Sequence, residues 1–290
     1  MFHPGILFYT LRYEHSLILD SFMMALSTLT MLMLYDKPAS LRRLILSGTV
    51  LGLSFLSRGT ILILLPIFIL WIIFVFNQSL KKRLKIAFCF TLISFATILP
   101  WTIRNYFVTG EFILVGAVAE ECFWLGNNPN ASGSSYNVAG QTMRVDLAGE
   151  DLLRRVYSSN EIMQKKIFKD AAFDFIKNNP GKFMIFFLKK IYYFWWFSPQ
   201  FGLLYPKLYI PFYKILYFLE FLFGIVGISL AMKSKNKTII QSSVLIISVL
   251  LSISISQSLF YVEGRHRLAL EPLLLIFAAN GIFYIKEKIL

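Results

Sequence analysis

The sequence predicts an all-α, multi-pass membrane protein: a transmembrane helical bundle of about seven spans plus an interfacial helix, with one polar extracytoplasmic loop region. Three observations predict it. Hydrophobic residues make up 57% of the 290 positions and charged residues only 16%, whereas soluble domains run near 45–50% and about 25%. Apolar runs of bilayer-spanning length recur along the chain, separated by short basic clusters. Aromatic residues are abundant, with 29 Phe, 14 Tyr and 5 Trp, which suits lipid-facing helices with interfacial belts. The mean hydropathy of +0.63 agrees. These features exclude a soluble globular enzyme, a disordered chain and a collagen-like one.

Spans are expected at Leu17–Tyr35, Leu44–Leu56, Thr60–Phe76, Ile86–Trp101, Leu208–Met232, Ile239–Val262 and Leu268–Ile285. Each is largely apolar, and about 20 such residues cross a bilayer as a helix. Lys182–Phe197 is aromatic but carries Lys189 and Lys190 at its middle, and is read as an interfacial or re-entrant helix.

Orientation follows from the basic loops. Asp36–Arg43, Ser79–Lys85, Lys233–Lys237 and the tail with Lys286 and Lys288 are placed inside. Gly59, the segment Thr102–Pro180 and Gly264–His266 then lie outside. If Lys182–Phe197 crosses the membrane instead, the later loops invert. The chain divides on this reading into an N-terminal membrane bundle of four spans over 1–101, an extracytoplasmic loop region with an amphipathic helix over 102–180, and a C-terminal membrane bundle over 181–290.

The net charge of +13 does not imply nucleic acid, because the basic residues form short loop clusters and no separate basic domain. Thr102–Pro180 is near neutral, with nine acidic and eight basic residues. Its first half, Gly126–Gly140, is rich in Gly, Asn and Ser; in its second, Glu150–Asn178, Ile162, Ile167, Phe168, Ala171, Ala172, Phe175 and Ile176 recur near helical period. Asn178-Asn179-Pro180-Gly181 should end that helix. Cys89 sits in an apolar run and Cys122 in a polar stretch, so neither a disulfide between them nor a metal spacing is expected. Met1–Thr10 has no basic n-region, so no signal peptide is expected.

Chemistry-bearing residues concentrate in two stretches. In Pro100-Trp101-Thr102-Ile103-Arg104-Asn105 the arginine follows a span directly, at the outer interface. It can bind a phosphate bidentately or snorkel to headgroups. In Trp124-Leu125-Gly126-Asn127-Asn128-Pro129-Asn130-Ala131-Ser132-Gly133, Asn127, Asn128 and Asn130 form a turn by composition and could contact sugar hydroxyls. Asn130-Ala131-Ser132 also matches a glycosylation sequon. The second stretch runs from Tyr261 to Pro272, where Glu263, Arg265, His266 and Arg267 lie between two spans and Glu271 enters the last one. An ionisable residue inside a span is a functional candidate by default, although an Arg–Glu pair that neutralises itself is the plain alternative. Arg58, in Ser57-Arg58-Gly59-Thr60, can face the same outer cavity or snorkel. Glu14 and Asp20 flank the first span, and Glu120-Glu121 lie in the outer loop, where a solvated face is the simpler reading. Lys189-Lys190 with Trp195-Trp196 reads as interfacial anchoring. There is no GxGxxG, P-loop, HExxH or GxSxG. No cofactor is evident, and a divalent metal is left open.

The stretch Pro100–Gly133 resembles the middle of bacterial family 39-type membrane glycosyltransferases, the polytopic C-type enzymes that include aminoarabinose transferases and protein O-mannosyltransferases. The tail Gly264-Arg265-His266-Arg267-Leu268-Ala269-Leu270-Glu271-Pro272 is similar to their closing Arg-Tyr-Arg-x-Pro-x-x-Pro segment, and Leu56-Ser57-Arg58-Gly59-Thr60 to their Leu-Thr-Arg-Pro turn. The resemblance runs from about His3 onward. It implies a transferase that moves a sugar from a polyprenyl-phosphate donor to a lipid, glycan or protein acceptor at the extracytoplasmic face of a bacterial inner membrane. Membrane lipids are the other partners, and nucleic acid is not one. Such chemistry needs a carboxylate base for the acceptor and cations for the departing phosphate. Arg58, Arg104, Arg265 and Arg267 match the second need, and Arg104, Arg265 and Arg267 are expected to converge on one phosphate.

This sequence departs from the family in three ways. The family's catalytic Asp lies in its first outer loop, and no residue here matches it, so roughly one small domain's length of the family's N-terminal half is expected to be missing. His266 stands where an aromatic is usual, and Ala269 where proline is. Activity of this chain alone is accordingly open. A transporter or flippase for lipid-linked glycans, or a non-catalytic membrane protein, would also use arginines. The long polar outer loop favours the transferase.

Overall fold

A computed structural model describes residues 17–38, 40–116, 119–134, 136, 149–199 and 209–289. Glu14 and residues 137–140 of the Gly/Asn/Ser-rich segment lie outside the described residues. Among the described residues the chain is all-helical. In order the helices are α1 (Leu17–Asp36), α2 (Leu41–Ser57), a 3-10 turn (Gly59–Ile63), α3 (Leu64–Val75), α4 (Leu80–Thr109), α5 (Ala119–Gly126), α6 (Glu150–Tyr157), α7 (Glu161–Asn178), α8 (Pro180–Trp195), α9 (Tyr209–Met232), α10 (Lys237–Ser258), α11 (Gly264–Leu268) and α12 (Glu271–Ile289).

Four of these, α1, α4, α9 and α10, are long and apolar enough to cross a membrane. The protein therefore has the character of a membrane protein. Of the other three predicted spans, α2 has 17 residues, α3 has 12 behind its 3-10 turn, and α12 has 19. Pro66 falls in the first turn of α3, where a missing amide breaks no helical bond.

The structure divides into two compact units. The first comprises Met1–Val115, Tyr205–Ile253 and Leu268–Leu290. Here α2 packs on α1 and α4, and α9 packs along α12. Small residues set the close approaches. A Cβ on Gly52 would lie 2.6 Å from the Ser94 carbonyl oxygen, and one on Gly227 would fall inside contact with the Phe277 carbonyl. Bilayer helices gain little hydrophobic drive from each other, so close backbone packing carries their association. Buried hydroxyls are satisfied internally: Ser27 and Ser54 share a 2.7 Å hydrogen bond, and Thr28, Thr91, Ser94 and Thr97 each donate to the carbonyl four residues back.

The fourth span differs from its expected limits. Ile86–Trp101 was the apolar run, but α4 extends over 30 residues and continues through Pro100 to a left-handed Gly110 at φ 72°. Arg104 and Asn105 thus sit on the last turns of a helix. What holds those turns is the segment that follows. Trp101 Nε1 donates to the Val115 carbonyl at 2.9 Å, Thr102 Oγ1 to Leu114 at 2.8 Å, and Asn105 Nδ2 to Ile113 at 3.1 Å.

The second unit comprises Gly116–Leu204 and Ser254–Arg267. Among its described residues, one buried apolar cluster is Trp124, Val156, Ile167, Phe168 and Ala172. The periodic stretch Glu150–Asn178 is two helices, because Ser158–Asn160 interrupt it and Asn160 caps α7 by accepting from the Met163 amide at 2.9 Å. Asn178-Asn179-Pro180-Gly181 is a junction as well as a stop, since Pro180 opens α8 at a position that needs no amide.

Candidate functional site

The densest polar constellation lies in the second unit, where α5, the turn after it, α8 and the Tyr261–Arg267 segment meet. The turn forms because α5 ends at Gly126, packed so tightly on the Phe260–Tyr261 backbone that a Cβ there would lie 2.7 Å from the Tyr261 nitrogen. Asn127 then spans two segments, its Nδ2 donating to Phe123 at 2.8 Å and to the Leu259 carbonyl, 132 positions further on, at 2.7 Å. Asn128 closes the helix end: its Nδ2 donates to Trp124 at 2.9 Å and its Oδ1 accepts from the Asn130 amide at 2.9 Å. Ser132 and Ser134 bond to each other and to the Tyr136 carbonyl, and the Val262 amide donates to Gly133 at 3.0 Å. Gly133 itself has φ 96°, a conformation that disfavours any side chain.

Lys190 of α8 is fully buried beneath this turn. Its Nζ donates to the Gly126 carbonyl at 3.2 Å and to Asn127 Oδ1 at 3.1 Å. Both acceptors are neutral, and burial pulls the amine down to about 7. Sequence reasoning read this lysine as an interfacial anchor. Its burial is not visible in composition, although its place among Tyr192, Tyr193 and Phe194 was a signal of amphipathic packing.

On the neighbouring segment, Arg265 Nε pairs with Glu263 at 2.6 Å, and both side chains retain some exposure, 22% and 14%. Arg267 points the other way. It is fully buried, lies over the Phe197 ring at 4.9 Å, and donates to the Phe194 carbonyl at 3.3 Å and the Trp196 carbonyl at 3.4 Å. His266 is buried against the Tyr261 ring, and its Nδ1 accepts from the Glu263 amide at 3.2 Å. An accepting Nδ1 requires the proton of the neutral ring to sit on Nε2. Burial pushes the Tyr261 phenol up, and the Cys122 and Glu263 side chains add to that.

The remaining predicted residues belong to the first unit. Arg58 caps the end of α2 and pairs with buried Asp20 at 3.5 Å. Arg104 is exposed, stacks over Trp101 at 5.0 Å and donates to Asn105 Oδ1 at 3.3 Å. Glu271, in the first turn of α12, is fully buried and accepts from the Tyr213 hydroxyl at 3.0 Å. Asn127, Asn128, Arg265 and Arg267 are thus held in one unit, and Arg58, Arg104 and Glu271 in the other. Asn130 is exposed on the turn. Among the described residues no group of three His, Cys, Asp or Glu side chains could hold a metal ion.

Within the second unit the arrangement sets the partly exposed Arg265 guanidinium, paired with Glu263, on the segment bonded to a rigid turn. It offers charge and directional hydrogen bonds. No protein-family model, curated protein or solved structure matches the chain.

Proposed function

We propose that the protein is a membrane glycosyltransferase that moves a sugar from a polyprenyl-phosphate donor to a lipid, glycan or protein acceptor at the extracytoplasmic face of a bacterial inner membrane. The observation that supports the reading is that parts of two of the three resembling stretches, Ala119–Gly133 and Gly264–Arg267, fall within the second unit. The Gly126–Gly133 turn is bonded to Leu259 and Val262, next to the Glu263–Arg265 pair. In a sugar-phosphate site the exposed Asn130 of the turn faces the sugar, the buried Asn127 and Asn128 hold the turn in shape, and Arg265 offers a guanidinium to a phosphate. On this reading Arg265 makes the direct contact by exchanging Glu263 for the phosphate. Arg267 acts indirectly, fixing the Phe194–Trp196 backbone. Arg58 and Arg104 supply further positive charge at the outer ends of their helices. The bundle completes seven spans when α2, α3 and α12 cross together with the four long helices.

The test uses the full chain in lipid nanodiscs with undecaprenyl phosphate as probe. Wild type should bind it more tightly than it binds undecaprenol. Arg265→Ala should weaken binding roughly tenfold or more, the usual scale for losing a charged hydrogen bond. Sugar transfer from a radiolabelled polyprenyl-phosphate sugar should fall in parallel. Equal binding of the phosphate and the alcohol would overturn the reading. Leaflet exchange of the labelled lipid without transfer would point to a flippase.

A further inference from the structure

Helix α8 presents two faces of opposite character. Lys190, Tyr193 and Phe194 are buried and hold the core of the second unit. On the other side Met184, Ile185, Leu188 and Tyr192 are 52 to 64% exposed. These four positions recur at helical spacing, so they form one continuous apolar stripe along the helix. Lys182 flanks the stripe at its start, and Lys189 lies beside it with its Nζ over the Tyr193 ring at 5.4 Å. The helix carries three lysines and no carboxylate.

We propose that this stripe is a membrane-surface anchor: α8 lies in the plane of an anionic bilayer, its Met184–Tyr192 stripe in the headgroup–acyl boundary and Lys182 and Lys189 at the lipid phosphates. Charge complementarity selects the occupant. A protein partner for so basic a face would need a matching acidic groove, whereas bacterial-type anionic lipid supplies the charge and the apolar layer together. Charge opposes a crossing: Lys182, Lys189 and Lys190 lie on this 16-residue helix without a carboxylate, and Lys189 and Lys190 would sit near the middle of the hydrocarbon core. Because Lys190 bonds the Gly126–Asn127 turn from the opposite face, lipid docking of α8 also fixes the turn relative to the membrane surface. The inference rests on the two faces of α8 and holds whether or not the protein transfers sugar.

The experiment places an NBD fluorophore at Ile185→Cys, Leu188→Cys or Lys182→Cys in a Cys89→Ala, Cys122→Ala background. The full chain is reconstituted in phosphatidylcholine–phosphatidylglycerol vesicles. Labels at 185 and 188 should shift to the blue and be quenched about twofold more strongly by a nitroxide near the headgroup than by one deep in the acyl chain. The label at 182 should respond weakly to both. Lys182→Gln with Lys189→Gln should reduce the quenching at 185, as should phosphatidylcholine alone. Circular dichroism matching the wild type keeps each variant informative. Water-like emission at 185 and 188 would overturn the anchor. Strongest quenching by the deep nitroxide at 188 would make α8 a spanning helix. Quenching indifferent to the lysines and to phosphatidylglycerol would remove the anionic requirement and overturn the proposal in this form.

Discussion

The two units solve the same accounting problem with different residues. Among the described residues of the membrane-type unit most of the chain lies in helices, whose backbone is satisfied internally, so the packing surfaces chiefly need shape. Glycines supply it: Gly48 and Gly52 let α2 approach α4, and Gly224, Gly227 and Gly281 let α9 lie against α12. In the second unit the chain turns repeatedly, and carbonyls of Gly126 and Phe194, in the last turns of α5 and α8, and of Trp196 and Leu259, just beyond helix ends, need partners from elsewhere. Buried side chains of Asn127, Lys190 and Arg267 donate to them. Irregular backbone away from water has to find such partners. Buried apolar side chains such as Val156, Ile167 and Phe168, each contributing roughly 1.5–3 kcal/mol, share the interior of this unit with those bonds. Polarity in this protein is therefore structural where the chain bends, and shape is structural where it spans.

The sharpest way to break that contrast is at Gly227. Gly227→Leu should destabilise the first unit by roughly 3 kcal/mol or more, because the new side chain meets the Phe277 backbone, which cannot rotate away. A detergent-based melting curve checks this, and an unshifted melting temperature would show that α9 and α12 are not held by close approach.

Next in size is Lys190→Met. It leaves the Gly126 carbonyl and Asn127 Oδ1 without their donor, at a cost of about 2 kcal/mol. Its pH signature separates it from simple packing loss. The unfolded amine titrates near 10.5 and the folded one at about 7. Between those values the unfolded chain holds a proton that the folded protein has shed, so wild-type stability should rise with pH, by up to about 1.4 kcal/mol per pH unit. Below about 7 both states are protonated and the rise levels off. Melting curves should show that slope in wild type above about pH 7, the folded value, and its loss in the variant. Parallel curves would mean that the amine stays charged.

The smallest effect is expected on α6. Arg154 pairs with Glu150 at 3.3 Å, but both side chains are more than three-quarters exposed. Arg154→Ala should change stability by less than about 0.5 kcal/mol. A larger loss would show that surface charge pairs define the second unit in the way its buried ones do.

Legibility followed the same division. The helix of Leu17–Tyr35 and the long helices near Leu208–Met232 and Ile239–Val262 were readable because lipid exposure writes itself into composition. The boundaries at α4 were not, since nothing local says that Trp101, Thr102 and Asn105 will bond back to 113–115 and carry the helix through Pro100. The Gly126–Gly133 stretch was readable as a turn from its Gly, Asn and Pro content. Its union with Leu259 and Val262 was not readable, because the bonds link positions far apart in the chain. Arg265 and Arg267 look equivalent in sequence. One pairs with Glu263 and keeps some exposure, and the other is buried against Phe197.

By itself the sequence determined that this is a helical, membrane-type protein with one large polar region and short basic loops, because apolar run length and charge placement are local properties. Only the tertiary structure decided which polar residues became internal ties. A side chain's burial and partners depend on what the rest of the chain brings beside it, so Lys190 became a buried donor and Lys189, its neighbour, stayed at the surface of the same helix.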